Sequence, residues 1–461
     1  MSRKFGWPFI GASGAVSVAQ IVAQQALIKQ LPSPLAHRRL PNAECSARLP
    51  AGRLSCHRQP CSGPPWLSNC YCGQSSEQSA AQGDGRTAMA TYRAAAIGRT
   101  GRGNYGHGLD LAWVGLPDVE YAAVADEDPE GLRAAGERTG AQQLYRDYRE
   151  LLAREQPDFV SVCPRWLDCH AEMVLACAEA GVRGVYLEKP MARSLAECDT
   201  MLAACERAGT ALAVAHVRRY DPWPHRLRAL VASGRIGELR VIAGNGTADR
   251  RGGAEDLMVL GTHVLDLVRL VAGDVTSAWG RVTQDGHDLG PEDVIEGAEG
   301  MGASGGDFVL AHYAFESGVS GTFESWRNQG RDTRLFGLTL YGTDGILSFR
   351  GSPEDAVFFL PKPAPMPGGD ADWIELESSS VELPPDAPAT CERTDLSRNK
   401  KAALDLIAAV EARREPVSSG PHARAALEMI AAVPESHRLG QRIPFPLSNR
   451  ENPFETLRRD D

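Results

Sequence analysis

Three things are missing from this chain, and each absence removes a class of function. No apolar run reaches the roughly 18 residues that a membrane-spanning helix needs, so no membrane partner is expected. There is no surplus of basic residues: 49 Lys and Arg stand against 59 Asp and Glu, a net charge of −10, which leaves no electrostatic footprint for nucleic acid. The eleven cysteines form no regular pair of Cys-x-x-Cys knuckles, so the usual zinc-ribbon spacing is lacking. What remains is a composition of 43% hydrophobic and 23% charged residues, ordinary for a soluble globular protein. At 461 residues there is room for two or three domains.

The first 88 residues differ from the rest. They carry nine Lys and Arg against three acids, a net of +6, so the remainder of the chain stands at −16. Five cysteines fall here (Cys45, Cys56, Cys61, Cys70 and Cys72), in a stretch rich in Pro, Ser, Gln and Gly without helix or strand periodicity. Three readings stay open. Cys56, His57, Cys61, Cys70 and Cys72 have metal-ligating side chains in irregular spacing. Residues 14–28 are mildly apolar and follow Arg3 and Lys4, as in a targeting segment. The favoured reading is a disordered extension, because Met89 leads at once into an apolar strand. The expected location is cytoplasmic, with a targeting role for 1–88 left open.

From Tyr92 the pattern is regular. Arg93–Ile97, Val119–Ala125, Phe159–Cys163, Gly184–Leu187 and Ala211–Ala215 are short apolar runs of the kind found in buried strands. Between them lie helical stretches at Leu109–Leu116, Pro129–Thr139, Asp147–Arg154, His170–Ala180 and Leu195–Ala208, two of them stopped by Gly181 and Gly209. This alternation predicts an α/β fold with a doubly wound parallel sheet of Rossmann type.

The first strand runs into Gly98-Arg99-Thr100-Gly101-Arg102-Gly103-Asn104-Tyr105-Gly106-His107-Gly108. A tight glycine turn lets a pyrophosphate approach the backbone, and a helix N-terminus after it offers free N–H groups and a positive dipole end. Gly101-x-Gly103-x-x-Gly106 fits the dinucleotide pattern, in a register left open by the extra glycines and the strand-ending Gly98. Asp126 ends the second strand, 23 residues past Gly103. A carboxylate there accepts ribose hydroxyls and repels a 2′-phosphate, which favours NAD. Arg99 and Arg102 are suited to a phosphate, so NADP stays open, as does a helix-capping role for Asp126. Val185-Tyr186-Leu187-Glu188-Lys189-Pro190 puts a lysine at the carboxyl end of a strand, where ligands of open α/β sheets bind. Desolvation there lowers a lysine's pKa toward working pH and suits it to proton transfer. Pro190 fixes the local turn.

The segments from Tyr92 to about residue 445 resemble the Gfo/Idh/MocA oxidoreductases. The likeness rests on the glycine loop, on Cys163-Pro164 through His170-Ala171-Glu172-Met173 to Ala180-Gly181, and on Glu188-Lys189-Pro190. Val217-Arg218-Arg219-Tyr220-Asp221-Pro222, Ala232 to Leu239, Gly261-Thr262-His263-Val264-Leu265-Asp266, and Lys401–Arg414 with Glu415-Pro416 and a helix from His422 to about Ile430 complete it. The glycine loop marks a divergent branch.

The resemblance implies a Rossmann domain over 89–215 and a substrate and oligomerisation domain over 216–445, with 446–461 as a polar tail. The second domain should be α/β with an open, mainly antiparallel sheet. Its strands are expected at Arg240–Asn245, Trp279–Gln284, Asp307–Tyr313, Ser320–Ser325, Leu335–Gly342 and Gly345–Arg350, with the C-terminal helices packing back on the Rossmann domain. It further implies hydride transfer between a nicotinamide and a sugar, cyclitol or related polyol, and a homo-oligomer formed through the outer sheet face. Lys189 and His263 are the implied catalytic pair. Gly98, Gly101, Arg102, Gly103, Gly106, Asp126, Pro164, Glu188 and Lys189 would contact the cofactor. Arg218, Tyr220, His263 and Trp326 would contact substrate, and no metal is implied. One departure stands out. Relatives often carry an Asp four residues before the histidine, and here that position is Val259. The usual Asp–His pairing is therefore expected to be absent, with Asp256, seven residues before His263, too far away to replace it. The alternative is a non-catalytic regulator that binds the nucleotide, as in a related galactose-pathway co-repressor.

Overall fold

The computed structural model describes residues 92–247, 249–328, 336–351, 355–364 and 373–459. All three readings of residues 1–88 fall outside them. The first sheet has six parallel strands in the order β3-β2-β1-β4-β5-β6: β1 Tyr92–Ile97, β2 Val119–Ala125, β3 Gln143–Tyr145, β4 Phe159–Val162, β5 Gly184–Leu187 and β6 Ala211–Val214. The four residues of β4 and of β5 are all buried, as are Ala94–Ile97 of β1, because helices cover both faces of a parallel sheet. Those helices are α1 Pro129–Thr139, α2 Tyr148–Glu155, α3 His170–Glu179 and α4 Leu195–Ala208. Asp128 caps α1 by accepting from Gly131 N, with Pro129 in the first turn and Gly140 at φ +74° ending the helix. Strand order reverses between β1 and β4, and the carboxyl ends of the strands diverge there.

The helix expected at Leu109–Leu116 is absent. Only Leu109–Leu111 forms a 3₁₀ turn, followed by successive turns to Leu116. Gly106 and Gly108 both hold positive φ, which a helix cannot use, and the buried Tyr105, Leu109 and Trp113 fill the slot against the sheet. The Trp113 indole donates to Ser161 Oγ at 2.8 Å and so fixes this segment over β4.

The second sheet has ten strands in the order β17-β16-β15-β14-β7-β13-β12-β8-β18, with β9 on β8. They are β7 Leu239–Asn245, β8 Val275–Gln284, β9 His287–Asp288, β12 Phe308–Phe315, β13 Ser320–Trp326, β14 Gly337–Gly342, β15 Ile346–Arg350, β16 Ala356–Leu360, β17 Ile374–Leu376 and β18 Ile443–Pro444. A two-stranded ribbon, β10 Ile295–Glu296 with β11 Ala303–Ser304, stands beside it. All pairs in the large sheet are antiparallel except β7 with β13. The six expected strands are present to within a few residues, except that Leu335 lies outside the described residues.

Helices α5 Pro222–Ala232, α6 Ala254–Val259, α7 Gly261–Ala272, α8 Arg398–Ala412 and α9 Gly420–Leu439 complete the body. The C-terminal helices do pack back on the Rossmann sheet. Leu406, Ala402 and Ala403 of α8 share a core cluster with Phe159 and Tyr186, and residues 418–419 run alongside β6. α9 lies against β8, where Gly280 leaves room for its backbone: a Cβ there would sit 2.6 Å from Val433 O. Of the polar tail expected over 446–461, the described residues 446–459 are instead part of the fold. Leu447 N donates to Glu428 Oε1 at 2.9 Å, and a last helix, α10 Pro453–Arg459, buries Phe454 and Leu457.

Tyr220 belongs to this framework rather than to a substrate site. It has no exposure, and its hydroxyl donates to Asp405 Oδ2 on α8 at 3.0 Å. Trp326 is 45% exposed at the end of β13, edge-on to Phe308 across the outer sheet face. Its exposure comes from the strand alternation, which turns every second side chain of β13 outward. Two stability outcomes follow. Tyr220→Phe should cost about 1–2 kcal/mol in urea unfolding, because Asp405 loses a donor in the interior. Gly280→Ala should cost about 1–3 kcal/mol, by forcing α9 off β8.

Candidate functional site

Lys189 follows the last residues of β5 and enters a cis peptide with Pro190. It is 5% exposed, and its Nζ donates to the carbonyl of Val259 at 3.0 Å. The position that lacks the expected carboxylate thus supplies a backbone acceptor to the lysine. Burial pushes the Lys189 pKa down, opposed by the carboxylates of Glu188 and Glu299 and assisted by Arg251 and Arg165.

Glu188 has no exposure, and its Oε1 lies 2.8 Å from Nδ1 of His107 in the glycine loop. Gly106 makes this approach possible, since a Cβ there would lie 2.7 Å from Glu188 Oε2 and 2.5 Å from Cys163 O. His170 pins the neighbouring strand ends: its Nε2 lies 2.7 Å from Pro164 O and its Nδ1 3.2 Å from Met191 O. The Pro164 carbonyl is thus held by His170, and Pro164 is not among the lining residues of the cleft that holds Lys189.

His263 stands in the first turn of α7. Helices α6 and α7 break at Leu260, so Asp256 and His263 do not share one helix. Asp256 is buried and occupied elsewhere, accepting from Thr247 Oγ1 at 2.8 Å and Ser325 Oγ at 2.5 Å. The Asp–His pairing is thus absent, as expected from Val259. The Nδ1 of His263 is sealed from solvent and has no hydrogen-bond partner among the described residues. Burial holds its pKa well below 6.5, reinforced by Lys189, His216 and Arg218 against the opposing Asp266. Behind it, the His216 ring meets His263 edge-on at 5.6 Å, and Arg219 grips Asp266 through three contacts of 2.8–3.0 Å.

Lys189 and His263 line one cleft of about 790 Å³, together with Glu188, Arg218, Asp221 and Arg398. Arg218 bonds Asp355 and the Gly351 carbonyl. Of the expected substrate contacts, Arg218 and His263 reach this cleft, whereas Tyr220 and Trp326 are not among its lining residues. His107, Asp221, Arg398 and Asn399 were not anticipated from the sequence. The glycine loop hinted at His107 by adjacency alone. Arg398 and Asn399 begin a helix some 290 residues beyond the loop that Asn399 touches, and no local pattern marks them.

The glycine loop closes on itself. Arg99 and Asn104 exchange backbone bonds, and Gly101 N donates to Asn104 Oδ1 at 2.9 Å with Gly101 at φ +83°. Gly103 presses on the next turn, where a Cβ would lie 2.3 Å from Arg165 N. No long helix dipole points at this loop. Arg99 and Arg102 of the loop pair with Asp168 at 3.2 and 3.8 Å, and Arg165 pairs with Glu299 at 3.8 Å, with Arg102 and Arg165 still half-exposed. Asp126 is 2% exposed and holds the loop shut, accepting from Thr100 N and Oγ1 and from Asp128 N at 2.7–3.1 Å. The capping role goes to Asp128. Asp126 also borders a small recess with Glu127 and Arg146 at the end of β2. Among the described residues no His, Cys, Asp and Glu cluster could hold a metal ion, and no helix is long and apolar enough to cross a membrane.

Comparison with known proteins agrees with this geometry. Residues 93–216 match the oxidoreductase family with an NAD-binding Rossmann fold, and residues 225–348 match the GFO/IDH/MocA C-terminal domain. D-apiose dehydrogenase of Paraburkholderia graminis is 32% identical over 247 residues, 51% of this chain and 61% of that protein. The match thus spans less than two thirds of that relative. Myo-inositol 2-dehydrogenase of Thermotoga maritima is 28% identical over 260 residues, 54% of this chain and 73% of that protein. Among solved structures, levoglucosan dehydrogenase in complex with NADH and levoglucosan shares the fold at a TM-score of 0.58 and 19% identity, over 77% of this chain and 99% of that one. Two adjoining domain matches, a Rossmann sheet with a glycine loop at its switch point, and a strand-end lysine facing a mainly antiparallel sheet together make this chain a member of the Gfo/Idh/MocA oxidoreductase family, with an NAD-binding Rossmann domain.

Proposed function

We propose that the protein is a dehydrogenase or reductase acting on a CH–OH carbon of a sugar, cyclitol or related polyol, with Lys189 as the proton-transfer group. The observation that carries this reading is the buried lysine at the end of β5, lining a large cleft and bonded to a backbone carbonyl. The names of the relatives, which include dehydrogenases of D-apiose and myo-inositol, point to the same substrate class.

The bound nicotinamide would supply the hydride acceptor or donor. The guanidinium groups of Arg99, Arg102 and Arg165, with the glycine loop, would hold the pyrophosphate. Asp126 and its exposed neighbour Glu127 put two acids where the adenosine ribose would lie, which favours NAD over NADP. In the oxidising direction neutral Lys189 takes the proton of the substrate hydroxyl. In the reducing direction its ammonium returns one. Burial lowers the cost of the neutral amine, and Glu188 keeps the charged form accessible, so the group can cycle between them. His263 stays neutral and lines the cleft, where it would orient the reacting oxygen rather than carry its proton.

Two outcomes test this reading. General acid–base groups contribute about 10²–10⁴-fold in rate, so Lys189→Ala should lose that much kcat on an oxidised polyol while NADH affinity persists. His263→Gln should lose less. Because the Lys189 pKa lies below its ordinary value, the base form fills as pH rises through that lowered pKa. The rate of alcohol oxidation should therefore rise with pH, with an inflection below the roughly 10.4 of a solvated lysine, and Lys189→Ala should erase that inflection. Full turnover by Lys189→Ala would refute the mechanism. NADH binding without turnover on a panel of sugars, cyclitols and their keto forms would favour the regulator alternative.

A further inference from the structure

The cleft has a second polar wall, and it lies largely outside the two family matches. Asp221 precedes Pro222 at the start of α5, where an Asp ordinarily caps the helix, yet its side chain makes no capping bond. Instead Asp221 Oδ1 accepts from Arg398 Nε at 2.7 Å. Arg398 Nη2 reaches Asp355 Oδ2 at 3.2 Å, Asp355 Oδ1 bonds Arg218, and Arg218 Nη1 returns to within 3.6 Å of Asp221 Oδ2. Two guanidiniums and two carboxylates from three chain segments so close a ring, three of whose members line the cleft that holds Lys189.

The ring is incomplete in a particular way. Asp221 is 5% exposed, and its Oδ2 accepts no hydrogen bond. Arg398 is 45% exposed on its side chain and spends Nε and Nη2 on the two carboxylates, leaving Nη1 unused. An acceptor short of a donor thus sits beside a donor short of an acceptor. The wall is also held firmly in place. Lys401 Nζ donates to Cys391 O at 2.8 Å, Arg226 donates to Val381 O and Glu392 at 2.6 Å each, and Asn399 donates to the carbonyls of His107 and Gly108 at 3.1 and 3.2 Å.

We propose that Asp221 and Arg398 form a vicinal-diol subsite that grips the substrate through two adjacent hydroxyls away from the reacting carbon. This rests on the polyol reading above and deepens it. One hydroxyl donates to Asp221 Oδ2, and its neighbour accepts from Arg398 Nη1. A hydroxyl can play both parts, whereas a carboxylate can only accept and would face the negative charges of Asp221 and Asp355. The subsite therefore selects neutral sugars and cyclitols over their acids.

The test uses the full chain loaded with NADH or NAD. Binding of D-glucose, D-xylose, myo-inositol and D-glucuronate is read by saturation-transfer NMR in the NADH complex, and oxidation by NADH formation. Hydrogen bonds to charged groups are worth about 10-fold or more in affinity. Arg398→Gln and Asp221→Asn should thus raise Kd and KM for the neutral polyols at least that much, with the loss falling on KM rather than kcat and with NADH affinity retained. Glucuronate should bind more weakly than glucose, and Asp221→Asn should narrow that gap. Arg398 is half-exposed, so its variant decides the question should Asp221→Asn fail to fold. Unchanged KM and Kd in Arg398→Gln, or a preference for glucuronate, would overturn the subsite. Turnover with unchanged KM would leave the dehydrogenase reading standing without the subsite. Polyol binding that is lost in the variants but never turned over would leave the subsite standing without the dehydrogenase. If the wild type neither binds nor oxidises any of these compounds, both fall.

Discussion

Glu188 is a carboxylate with no access to water, set between two basic groups. His107 meets it from the glycine loop, and the Lys189 ammonium follows it in the chain. A lone buried carboxylate is costly, and so is a lone buried ammonium. The Glu188 charge reduces the penalty on the buried Lys189 ammonium. The glycine loop must approach Glu188 closely, which Gly106 permits. The strand must end where it does to bring carboxylate and amine to the same edge of the sheet. Lys189 must then turn its Nζ toward α6, where the Val259 carbonyl receives it.

Much of this was legible in local pattern. Parallel strands buried on both faces are short apolar runs, and every Rossmann strand but β3 stood out for that reason. β3 pairs only β2 at the sheet edge and carries exposed Gln143 and Leu144, so it lacks that signal. Lys189 and His263, which line one cleft, each lie in a compact motif. The errors have physical sources. Leu109–Leu116 has helical periodicity, but the glycines before it and the bulk of Tyr105 and Trp113 select tight turns. The helix expected from His422 to about Ile430 runs from Gly420 to Leu439 and takes Pro434 into its interior, packed against β8. Tyr220 and Trp326 look like substrate contacts by residue type. The first is taken by Asp405 and the second by the outward alternation of β13. The 446–461 segment looks polar because its few anchors, Leu447, Phe454 and Leu457, are spread over eleven residues.

The missing carboxylate at Val259 reshapes the electrostatics around His263. With an Asp beside it, a histidine is held toward the charged form. Here its near neighbours are mostly positive, and Asp266 is already engaged by Arg219. The histidine is thus held toward its neutral form.

The bonds from Asn399 to the glycine loop, and from Tyr186 to Asn399, have a bearing on how the chain is made. β6 ends at Val214, and α8 begins at Arg398, about 180 residues later. At roughly 5–20 residues per second on a ribosome, the nascent Rossmann sheet waits on the order of 10–40 s for the helix that covers Phe159 and Tyr186 and closes over its loop. The nucleotide-binding half is therefore not a self-sufficient unit during synthesis. It emerges with an apolar face uncovered, and the carbonyls of His107 and Gly108 gain their Asn399 donor only when the C-terminal helices arrive.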